Sequence, residues 1–97
     1  MNPEEVNHKK FKVEHVLYNN NEFSIAYGQY EGGDFILAMR WNGTKSDPGY
    51  PKLFNYPVWF LIDKRLSLPI IKSLLELNDS NNQLIIKVLE KELSSNL

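Results

Sequence analysis

The side chains with most chemistry to offer lie between Arg40 and Phe60, where Arg40, Lys45 and Lys52 are interleaved with Trp41, Tyr50, Phe54, Tyr56, Trp59 and Phe60. Aromatic faces stack on bases while lysine and arginine meet phosphates, a combination that holds single-stranded nucleic acid with little sequence preference. Arg40, Lys45, Lys52, Tyr30, Tyr50 and Tyr56 are therefore the candidate nucleic-acid-binding residues, with Tyr18 and Phe54 as extensions of the same surface. The competing reading is that Tyr50, Phe54, Tyr56, Trp59 and Phe60 pack the loop against a sheet and only the lysines reach water.

Catalytic chemistry has less to stand on. The chain has two histidines, His8 and His15, and no cysteine, and that pair fits no familiar zinc-ligand spacing. His15 falls on the same strand face as Val13 and Leu17, which makes it a structural histidine. Asp34, Asp47 and Asp63 fall at element ends, where short carboxylates accept from backbone amides. Glu31-Gly32-Gly33-Asp34 lacks the glycine spacing and helix of a phosphate loop and reads as a hairpin turn. Asn42-Gly43-Thr44 has the glycosylation pattern without an export signal beside it. No catalytic residue, metal site or cofactor is assigned.

The elements that must position these groups follow from periodicity. Phe11 to Tyr18 alternates, Asn19-Asn20-Asn21 turns, and Phe23 to about Tyr30 is a second strand. After the Glu31 to Asp34 turn, Phe35 to about Trp41 puts Phe35, Leu37, Met39 and Trp41 on one face and Ile36, Ala38 and Arg40 on the other. Thr44 to Pro57, punctuated by Pro48, Pro51 and Pro57, is a stiff loop without long regular structure. Val58–Ile62 is a fourth strand. Ser67 caps a helix with the stripe Ile70, Ile71, Leu74, Leu75 and Leu77, and Asn78 to Asn82 separates it from a second stripe, Leu84, Ile85, Val88, Leu89 and Leu93. Short turns favour antiparallel neighbours. The expectation is an α+β fold, a four-stranded antiparallel meander followed by two C-terminal helices.

At 97 residues, 42% hydrophobic and 24% charged, the chain is one domain, read as a flexible arm over residues 1–10 and a folded unit over 11–97. A net charge of −1 excludes recognition led by a strong positive field. The lack of a membrane-length apolar run and of a signal-peptide core makes a cytoplasmic protein without a membrane partner the expectation. Two helical stripes exceed what one face of a small sheet needs. Leu84, Ile85, Val88 and Leu89 are accordingly the candidate homodimer interface.

With an arginine on a strand, a basic loop, and Trp59-Phe60 leading to Leu66, Leu68 and Leu74-Leu75, the stretch from Phe23 to Leu77 resembles the positive-cofactor-four family of transcriptional coactivators. The resemblance implies a homodimer that binds single-stranded DNA through sheet faces and loops, with the helix helping to join subunits. The functional expectation is a non-enzymatic homodimeric module for single-stranded DNA or RNA, working through a sheet face and the 42–57 loop. Two alternatives stay open: a protein-interaction or accessory module, and a small-molecule-binding protein or enzyme.

Overall fold

The computed structural model describes residues 2–7, 10–77 and 81–95. Three strands of alternating character form a meander, β1 (Phe11–Asn19), β2 (Phe23–Tyr30) and β3 (Phe35–Trp41). A small hairpin, β4 (Lys52–Leu53) with β5 (Tyr56–Pro57), interrupts the chain before β6 (Phe60–Leu61) joins the far edge, giving the antiparallel order β1-β2-β3-β6. Helices α1 (Ser67–Leu74) and α2 (Asn82–Ser95) follow. The expected α+β architecture is the one observed. The fourth strand is shorter than Val58–Ile62, although the Ile62 amide still donates to the Leu37 carbonyl at 2.9 Å.

Both sheet faces are covered, and alternation decides by what. Leu17, Ile25, Tyr27 and Leu37 meet Ile71, Leu74, Ile85 and Val88 of the two helices in the larger core. Ala26 and Ala38, facing the other way, meet Phe11, Val6 and Trp59 in a second, smaller core. Small residues at 26 and 38 leave room there for the indole, whose Nε1 donates to the Val6 carbonyl at 2.5 Å. The expected free arm is corrected for its described part: Pro3–Glu5 form one 3-10 turn, and Pro3 and Val6 are buried. His8 lies outside the described residues.

Simple alternation fails in β1. The register slips between Val13 and His15 and again between Val16 and Tyr18, so two bulges re-aim the strand. His15 therefore pairs with Tyr27 and Tyr18 with Ile25, on the helix side of the sheet. Tyr18 thus shares no face with Arg40, contrary to the even alternation read from the sequence. Gly28 sits at the close approach of the two strands, where a Cβ would meet the Lys12 carbonyl and the Phe11 ring.

Asp63, not Ser67, starts the helical region. Its Oδ1 accepts from the Arg65 amide at 2.9 Å and caps a 3-10 turn over Lys64–Leu66 that runs into α1. Ser67 is inside the helix with its Oγ buried. No described helix is long and apolar enough to cross a membrane.

Candidate interaction surface

Arg40 organises the loop. Its β3 position faces the smaller core, and the guanidinium is covered by the loop until only 1% of the residue is exposed. There it donates to the carbonyls of Pro48, Pro51 and Val58 and lies 6.0 Å from the Trp59 ring centroid. No carboxylate neutralises it among the described residues, and burial lowers its pKa. Gly49 packs against it at φ +75, where a Cβ would collide with the Trp41 carbonyl. Asn42 adds a second tie, accepting from Ser24 Oγ at 2.7 Å and donating to Asn19 Oδ1 at 3.0 Å. The nucleic-acid expectation for Arg40 is corrected on this point: a buried guanidinium whose Nη1 and Nη2 donate to backbone carbonyls has no open face for a phosphate.

The loop so held displays aromatics rather than hiding them. Trp41 and Tyr50 exchange backbone hydrogen bonds at 2.7 and 3.1 Å, and Met39 pairs with Phe60. Directly opposed residues share a face, so Trp41, Tyr50 and Phe60 stand together on the part of the sheet beyond the helices, each more than half exposed. The β4–β5 hairpin adds Leu53, Phe54 and Tyr56. Phe54 at its tip is 95% exposed with φ +49, beside Asn55 at φ +66. An open cleft of about 670 Å³ separates this hairpin from the N-terminal segment, with Val6, Leu53, Phe54, Tyr56 and Val58 as its apolar lining and Glu5 and Asn7 on its N-terminal side. Trp59, by contrast, is buried.

The remaining expected residues divide. Lys45 and Lys52 are exposed and line a shallow hollow of about 470 Å³ with Asp47 and Asn55. Tyr30 is half-buried in a smaller depression beside Leu53 and Val58. Tyr50 and Tyr56 are open, but Tyr50 belongs with Trp41 and Tyr56 with the hairpin cleft. The proposed helix interface is corrected: Ile85 and Val88 are buried in the chain's own core, and Leu84 and Leu89 are half-buried against it.

A further cluster was not legible from the sequence. Glu92 of α2 is buried and accepts from Tyr27 Oη at 3.0 Å and from Lys64 Nζ at 2.8 and 2.9 Å. Lys64 also donates to the Phe35 carbonyl at 2.6 Å, and Lys91 stands 3.3 Å from the Phe35 ring centroid. Burial, reinforced by the neighbouring Glu92, raises the Tyr27 pKa well above the ordinary phenol value. All three Lys64 protons have acceptors, so the cluster ties α2 to the sheet.

Comparison with family models, with curated proteins and with solved structures finds no match for this chain.

Proposed function

We propose that this chain is a non-enzymatic protein-interaction module whose contact element is the β4–β5 hairpin. The observation that carries this reading is Phe54. A bulky aromatic at positive φ costs roughly 1–2 kcal/mol relative to a residue suited to that backbone, and Phe54 returns nothing within its own chain because 95% of it is in water. Strain held at an exposed hydrophobic tip fits a residue used by a partner. Leu53 and Tyr56 flank it as further apolar anchors on a scaffold fixed by Arg40. A photo-crosslinking side chain at Tyr56 is expected to capture a protein in cells, whereas the same group at exposed Lys87 captures none. Equal yields at both positions would overturn the reading.

Single-stranded nucleic acid is the second reading, favoured by Trp41, Tyr50 and Phe60 on one open sheet face, with Lys45 and Lys52 exposed on the loop that carries Tyr50. It requires binding of a labelled oligonucleotide that weakens with salt as counterions are released, and that drops on joint Lys45→Ala and Lys52→Ala substitution. Absence of binding at low salt removes it.

A further inference from the structure

We infer that the partner of the hairpin is a second copy of this chain, the two copies exchanging Phe54 side chains into each other's clefts about a twofold axis. The inference rests on the hairpin being a docking element and names what it docks to. A twofold interface must present its projection and its hollow on the same surface, because each copy uses the same patch. That condition is met. Phe54, 95% exposed at the end of the hairpin, is itself part of the lining of the cleft of about 670 Å³, together with Val6, Leu53, Tyr56 and Val58, so the projection and the hollow belong to one patch.

The charges are arranged for the same exchange. Glu5 lines the cleft on its N-terminal side with exposed Glu4 next to it in the chain, while Lys45 and Lys52 are exposed in a separate hollow with Asp47 and Asn55, and Lys52 directly precedes Leu53 on β4. None of the four makes an ion pair with another described residue. Inserting one hairpin into the other cleft carries Lys52 of each copy toward Glu5 of its partner. Opposite charges at the rim then set the register.

The area sets the strength. Leu53, Phe54 and Tyr56 are each more than half exposed, and a covered aromatic removes about 150–250 Å² from water. With the cleft walls this gives roughly 500–700 Å² per copy, the small end of specific interfaces, where association is weak and reversible. The dimer is therefore expected to dissociate on dilution through about the micromolar range.

Sedimentation of the full chain across a dilution series tests the inference. Wild type is expected to pass from dimer to monomer, and Phe54→Asp to stay monomeric at concentrations where wild type is dimeric, with an unchanged circular dichroism spectrum. Glu5→Lys and Lys52→Glu should each weaken the dimer by about tenfold, and the double exchange should recover most of the loss. Dimerisation unaffected by Phe54→Asp overturns the inference, as does a wild type that is monomeric throughout. In that last case capture of a different protein from Tyr56 leaves the docking reading standing, whereas failure of that crosslink removes both.

Discussion

Arg40 acts as a cross-link between β3 and three points of the loop, and its burial without a carboxylate makes the carbonyls of Pro48, Pro51 and Val58 its only compensation among the described residues. Arg40→Met keeps the aliphatic stem and removes every donor. It should cost about 2–4 kcal/mol in chemical denaturation, the range for breaking a buried hydrogen-bond network, and the Tyr50 and Val58 amides, bonded to Trp41 and Pro51, should exchange faster with deuterium. Alternation places Arg40 opposite the Leu37 face, and that much was legible in sequence. Its burial was not, because it depends on where residues 48–58 fold back. Asp63 supplies a second test at this scale. Hydrogen bonds from the Arg65 side chain, then from its backbone, hold the carboxyl down at about 2. A depressed carboxyl adds stability above its ordinary value of 3.8 and loses it as pH falls through about 2. Arg65→Gln should move the carboxyl titration seen by NMR back toward 3.8, and an unmoved titration would reject the pairing.

Turns and bulges set the aim of each element. Asn19 and Asn20 cap the first hairpin by accepting from the amides of Asn21, Glu22 and Phe23, as the asparagine run suggested. The bulges of β1 were hidden, since a one-residue slip leaves no composition signal and only pairing with β2 reveals it. Gly28 marks the crowded crossing. Gly28→Ala should destabilise by about 1–3 kcal/mol through overpacking against Lys12 and Phe11, measured by thermal melting. The β4–β5 hairpin was read only as loop because two-residue strands are too short for alternation to register. Its tip separates stability from function: Phe54→Asn suits positive φ and should raise stability by about 0.5–1 kcal/mol, while weakening hairpin-mediated association. Loss of both together would assign Phe54 a structural role instead.

Across the whole molecule, the order of strands followed by helices was legible because long periodic stripes commit to a buried face. What that face meets was not legible. The second stripe was compatible with a dimer seam or with the chain's own core, and the buried Glu92, an acidic residue on a helix that reads as polar there, gave no sign that it reaches Tyr27 and Lys64. Glu92→Ala should therefore loosen α2 and lower stability by about 2–4 kcal/mol, leaving the Tyr27 hydroxyl without its acceptor, as read from denaturant midpoints. With Ile85 and Val88 drawn inward, α2 keeps Ile86 and Leu93 as exposed apolar residues, while the more exposed Phe54 and Tyr56 gather with Leu53 at the hairpin and its cleft. The most direct test of this account is the amide NMR spectrum of the wild-type chain recorded over a dilution series. Concentration-dependent shifts are expected at Glu5, Val6 and Asn7 and from Lys52 to Tyr56, with α2 unmoved; shifts centred on Ile86 and Leu93, or none at any concentration, would contradict it.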